Sequence, residues 1–124
     1  MKQLTKAEEQ LMHVLWSLKK GYVRDILDKL PLPKPAYNTV STIVRILEKK
    51  GFVGYVAHGK SHEYYPLVTK SEYRKSYFKG FVKNYFGNSY HALTSFFTNE
   101  KDLSLSELEE LRNLLDDEIK KLKK

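Results

Sequence analysis

With 124 residues, 41% hydrophobic, 13% aromatic and 30% charged, the chain is long enough for one ordinary domain or two very small ones, and too apolar to stay disordered. It contains no cysteine, which excludes a disulfide framework, a thiolate metal site and a cysteine nucleophile. The formal charge of +7 is uneven: Lys and Arg outnumber Asp and Glu 16 to 7 over residues 1–86, a net of +9, and are outnumbered 8 to 6 over residues 87–124, a net of −2. A basic front of this kind points to a polyanionic partner, and the rear to another task.

At the N-terminus, Met1 to Glu9 carries acids where the apolar stretch of a signal peptide would begin, and no later apolar run approaches bilayer length. A soluble, cytoplasmic protein without membrane insertion is expected. Thr5-Lys6-Ala7-Glu8 has capping-box spacing and precedes Ala7, Leu11, Met12, Leu15, Trp16 and Leu18, which fall on one helical face. Gly21 ends that first helix. Val23, Ile26, Leu27 and Leu30 predict a short second helix that stops near Pro31, Pro33 and Pro35.

A third helix buries Val40, Ile43, Val44 and Leu47 and stops at Gly51, leaving Asn38, Thr39, Ser41, Thr42, Arg45 and Lys49 on its open side. Residues 52–56 and 62–67 are rich in β-formers and flank a turn at Ala57-His58-Gly59-Lys60-Ser61, which predicts a hairpin leaning on the helices before it. Thr69-Lys70-Ser71-Glu72 caps an aromatic-rich helix with Tyr73, Tyr77, Phe78, Phe81, Val82, Tyr85 and Phe86, ended by Gly87-Asn88. A short helix with Tyr90, Leu93, Phe96 and Phe97 follows. Ser104-Leu105-Ser106-Glu107 then caps a last helix striped by Leu105, Leu108, Leu111, Leu115, Ile119 and Leu122.

Three helices and a hairpin in this order predict a mainly α fold: a winged helix-turn-helix over residues 1–68 and a C-terminal three-helix dimerisation region over residues 69–124. The open side of the third helix combines short hydrogen-bonding side chains with one arginine, chemistry suited to base edges and phosphates. At the hairpin tip, Lys60 with His58 and His62 is placed to meet phosphates, and Gly59 lets the backbone come close. An ordinary solvated face is the alternative, as are a protein-interaction module and a non-specific architectural DNA binder. His58 and His62 lack a third ligand nearby, so no metal is expected, and His13 and His91 read as partly buried packing residues.

The rear stripes are more apolar than 38 residues can hide alone. Tyr77, Phe81, Tyr85, Leu93, Leu108, Leu111, Leu115 and Ile119 are therefore expected to form a homodimer interface. G-x-S-x-G, G-x-x-x-x-G-K and G-x-G-x-x-G are absent, and Pro66 stands where H-E-x-x-H would need its second histidine. The chain reads as a protein without catalytic residues or cofactor, not an enzyme.

Along nearly its whole length the sequence resembles the penicillinase-repressor (BlaI/MecI) family. The likeness is carried by Leu4-Thr5-Lys6-Ala7-Glu8 with Leu15-Trp16, by Asn38-Thr39-Val40-Ser41-Thr42 through Leu47-Glu48-Lys49-Lys50-Gly51-Phe52, by Tyr64-Tyr65-Pro66-Leu67-Val68, and by Asp102-Leu103-Ser104 with Glu107 to Arg112. It implies a homodimeric winged-helix repressor bound to double-stranded DNA at an inverted repeat with TACA and TGTA arms. DNA contacts would fall on Asn38, Thr39, Ser41, Thr42 and Arg45 and on the wing around Lys60; Asn38 stands where some members carry lysine. The resemblance also implies release by a membrane sensor peptidase cutting at an Asn-Phe bond, whose counterpart here is Phe96-Phe97. The copper-responsive branch, with its C-terminal cysteines, is disfavoured.

Overall fold

The computed structural model describes residues 1–99 and 103–123. Helix α1 (Lys6–Leu18) opens on the expected capping box: the Thr5 hydroxyl accepts the Glu8 N–H at 3.2 Å, and Glu8 Oε1 accepts the Thr5 N–H at 3.0 Å. Its face of Leu11, Met12 and Leu15 is fully buried. Helix α2 (Val23–Lys29) begins with the Tyr22 N–H donating to Asp25 Oδ2 at 2.9 Å and buries Val23 and Ile26. One side chain gathers the carbonyls at the C-terminal end of this helix: Lys34 Nζ donates to the Leu27, Asp28 and Leu30 oxygens at 3.1, 2.9 and 2.9 Å, the first of which also accepts the Leu30 N–H.

Helix α3 (Tyr37–Lys49) follows the proline segment and buries Val40, Val44 and Leu47 completely. It ends as a Schellman motif, with the Gly51 N–H on Glu48 O at 3.0 Å and the Phe52 N–H on Leu47 O at 2.9 Å. Gly51 sits at φ +82°, a conformation that costs any residue with a Cβ, and it delivers Phe52 into the core.

Strands β1 (Val53–His58) and β2 (Ser61–Pro66) pair antiparallel, with Val53 opposite Pro66 and His58 opposite Ser61. Each strand reaches further towards the tip than the sequence predicts. Ala57, His58 and Ser61 belong to the ladder, and the turn shrinks to Gly59-Lys60, with Gly59 at φ +64°. The sheet is anchored at its base. Val53 and Tyr64 are buried, and Gly21 forms a bridge to Tyr64 through two backbone hydrogen bonds of 2.9 and 2.8 Å.

Helix α4 (Lys70–Phe86) starts against α1. Trp16 Nε1 donates to Val68 O at 2.8 Å, and the Tyr73 hydroxyl donates to Glu9 Oε2 at 2.7 Å; burial and that carboxylate push the Tyr73 phenol above its ordinary range. Helices α5 (Tyr90–Asn99) and α6 (Leu105–Leu122) complete the chain, α6 opening on the Ser104–Glu107 capping box. Two compact units divide at Tyr77 and Phe78. The first holds the core of α1, α2, α3 and the hairpin; the second buries Val82 and Leu93, whereas every described residue of α6 keeps contact with solvent.

The expectation for two histidines is corrected. His13 and His91 are both exposed: His13 sits edge-on to Trp16 at 5.3 Å, on the solvent side of the packed face of α1.

Candidate nucleic-acid interface

The buried stripe of α3 fixes which of its side chains face outward. Asn38, Thr39, Thr42, Arg45 and Lys49 are exposed and Ser41 is half-buried. The first turn of α3 carries no acid, and the helix has only Glu48 near its C-terminal end. Thr42 Oγ1 donates back to Asn38 O at 2.9 Å, which orients its methyl and leaves its lone pairs outward.

The wing presents His58, Gly59 and Lys60, all exposed. A Cβ on Gly59 would meet nothing within 4 Å, so its positive φ rather than space calls for glycine. Strand alternation puts the two wing histidines on opposite faces. His58 Nε2 lies 3.3 Å from Glu63 Oε1, and His62 stacks on Tyr55 with ring centroids 4.0 Å apart and planes 9° from parallel.

Behind this surface an ion pair joins the N-terminal turn of α1 to the end of α3. Lys50 Nζ lies 2.6 Å from Glu8 Oε1 and 3.1 Å from Gln3 O. Burial alone would raise the Glu8 carboxyl, but the Lys50 ammonium and the Thr5 N–H outweigh it and hold the group below its ordinary value. At Tyr64 burial, helped by the Glu48 carboxylate, outweighs the opposing Arg45 guanidinium and pushes the phenol up.

Two pairings on this surface go beyond what the sequence predicts. The Arg24 guanidinium lies over the Tyr37 ring, 5.4 Å from its centroid, and the Tyr22 ring lies 6.1 Å from that of His58. Both join separate elements, and neither spacing nor composition signals them.

Of the residues expected at a dimer interface, Tyr77 is exposed in the first unit. In the second, Phe81, Tyr85, Leu111, Leu115 and Ile119 are exposed, Leu108 is half-buried, and Leu93 is buried. Phe96 and Phe97 are exposed in the last turns of α5. Asp102 lies outside the described residues. No helix among the described residues is long and apolar enough to cross a membrane.

The sequence model of the family described as "Penicillinase repressor" matches residues 4–117. The methicillin resistance regulatory protein MecI of Staphylococcus aureus (strain N315) is 30% identical over 114 residues, covering 91% of this chain and 93% of that protein. A penicillinase repressor of Staphylococcus aureus is 23% identical over 120 residues, covering 96% and 95%. Among solved structures, the DNA-binding domain of the repressor BlaI superposes with a TM-score of 0.51 at 25% identity, covering 57% of this chain and 88% of that domain.

Proposed function

This chain belongs to the penicillinase repressor family, a family of transcriptional repressors rather than enzymes, and on that premise we propose that it is a cytoplasmic homodimeric repressor of an inverted-repeat operator. Helix α3 enters the major groove, the wing meets the flanking backbone, and the C-terminal helices hold two copies together. The observation that carries this reading is the outward face of α3: Asn38, Thr39, Thr42 and Arg45 stand exposed in consecutive turns over a fully buried stripe of Val40, Val44 and Leu47. A rigid helix with short polar side chains admits close approach to base edges, and the arginine supplies a planar donor fork for a guanine or a phosphate.

Dimerisation is supported by α6. Leu111, Leu115, Ile119 and Leu122 lie at helical spacing on one side, and all four are exposed in the single chain. A second copy covering them would place two recognition helices on one duplex, and the two half-sites would reinforce each other. The membrane sensor peptidase belongs to the proposal as the releasing partner.

The test is a binding titration of the purified protein with the DNA upstream of its own gene, against scrambled duplex, over a salt series. Discrimination between the two, with log K falling steeply against log salt as for roughly 6–10 phosphate contacts, is the expected result. Salt-sensitive binding without discrimination would replace the repressor with an architectural protein, and no binding would replace it with a protein-interaction module.

A further inference from the structure

Resting on the operator reading above, we infer that Arg24, on α2 and outside both elements assigned to DNA so far, is a further DNA-contacting residue, and that Tyr37 is the positioning residue that aims it. Arg24 is exposed and has Asp28 one turn further along the same helix, the spacing at which an Arg–Asp pair would form. Among the described residues it makes no ion pair. Its guanidinium instead crosses to the next helix and lies 5.4 Å over the ring of Tyr37, itself 47% exposed.

That choice of partner has a chemical consequence. An ion pair with Asp28 would have neutralised the charge and occupied the in-plane N–H donors. Contact with an aromatic face leaves the charge in place, and among the described residues no acceptor takes any of the guanidinium's five N–H donors. The ring limits the freedom of a long side chain before any ligand arrives, so less entropy is lost on binding. Tyr37 is the first residue of α3, next to Asn38 and Thr39 in sequence, so the held guanidinium stands at the entry of the proposed recognition helix.

The other flank of α2 supports the same assignment. Tyr22, just before α2, places its ring 6.1 Å from that of His58 on the wing. The first turn of α2 is thus bracketed by the two elements proposed to touch DNA, and Arg24 is the cation that turn presents. The ligand chemistry is a phosphate oxygen or a guanine edge of the bound duplex. Charge in the basic first 86 residues is then not a diffuse field but includes one donor fork held in a fixed place.

The assay is fluorescence anisotropy with a duplex selected by the wild-type protein from a random-sequence pool, and with a scrambled duplex, at several salt concentrations. Arg24→Ala is expected to raise Kd by roughly tenfold or more, as for loss of a charge-assisted hydrogen bond. If Arg24 meets a phosphate, the slope of log K against log salt should also fall by about 0.9 for each phosphate no longer neutralised, twice that in a dimer. Tyr37→Leu should weaken binding in the wild-type background and change nothing further in the Arg24→Ala background, whereas two unrelated losses would add. Arg24→Lys should restore the slope but not the full affinity. Unchanged thermal unfolding of each variant shows that the fold is intact. Wild-type discrimination with Arg24→Ala binding unaltered overturns this inference alone; failure of the wild type to bind any duplex overturns the operator reading with it.

Discussion

Glu8 and Lys50 join the start of α1 to the end of α3, and removing the carboxylate tests whether that link holds the recognition helix in place. The Glu8 side chain is 6% exposed and Lys50 22%. In Glu8→Ala two N–H groups lose their acceptor: Thr5 N, 3.0 Å away, and Lys50 Nζ, 2.6 Å away. A lost cap interaction costs about 1 kcal/mol, and breaking a buried ion pair from one side about 3–5 kcal/mol. Lys50 keeps the Gln3 carbonyl and some water, so the lower end applies, and we expect about 3–4 kcal/mol for Glu8→Ala in urea unfolding at pH 7. Glu8→Gln leaves an amide oxygen for the Thr5 N–H and should cost about 1–3 kcal/mol. The pH dependence fixes the mechanism. Because the folded Glu8 carboxyl titrates below its ordinary value of 4.5, its contribution is complete above 4.5 and fades as pH falls through the lower folded value, so wild type and Glu8→Gln should converge in acid. A cost below about 0.5 kcal/mol for Glu8→Ala, or a gap between wild type and Glu8→Gln that stays constant from neutral to acid pH, would refute the role assigned to the pair.

Arg45→Ala is expected to weaken specific binding by about 1–3 kcal/mol if the side chain reads a base, and mainly to flatten the salt slope if it meets phosphate; anisotropy with selected and scrambled duplexes separates the two. Leu115→Asp should yield monomers in sedimentation velocity and weak DNA binding, because it would bury an unpaired charge in the proposed interface; a variant that stays dimeric refutes that interface. Lys34→Met removes a donor shared by three carbonyls at the end of α2, of which Leu27 O keeps the Leu30 N–H, and should lower stability by about 1 kcal/mol in urea, with an unchanged midpoint counting against the cap.

Chemistry confined to a few neighbouring residues is legible in the sequence. Thr5 with Glu8, Thr69 with Glu72 and Ser104 with Glu107 all form their reciprocal caps, and Gly51 ends α3, because each needs only a three- or four-residue spacing and the right side chains. The outward face of α3 is readable for the same reason, since its buried stripe follows helical periodicity. Pairings between distant segments are not. Glu8 and Lys50 are 42 positions apart and Trp16 and Val68 are 52 apart, and no local pattern joins them. The hairpin turn is shorter than the sequence predicts because Ala57 and His58, weak β-formers by themselves, are paired with His62 and Ser61 above a base held by the core and by Gly21. His13 flanks the apolar positions of α1 in the helical wheel yet lies in solvent, because one residue of rotation separates a packed side chain from a solvated one.

The position of Phe96-Phe97 decides what a cut there would do. Both residues lie within α5, with the Phe96 ring 5.8 Å from that of Phe86 and 6.0 Å from that of Phe97. A peptidase takes its substrate extended, so the last turns of α5 must open first; their exposure of 45% and 39% means that opening forfeits little buried surface. The bond is upstream of all of α6. Scission therefore separates the exposed leucine stripe proposed to hold the dimer from the unit that carries α3 and the wing, and release would act through loss of paired half-sites rather than through damage to the DNA-binding surface. A chain ending at Phe96 should then be monomeric in sedimentation. Its single tryptophan, Trp16, should report an intact first unit, and its affinity for the selected duplex should fall by about 10²-fold or more while the salt-dependent, non-specific component persists in proportion to one protomer. If the shortened chain remained dimeric, or bound as tightly as the full one, α6 would not be the element that couples the two half-sites.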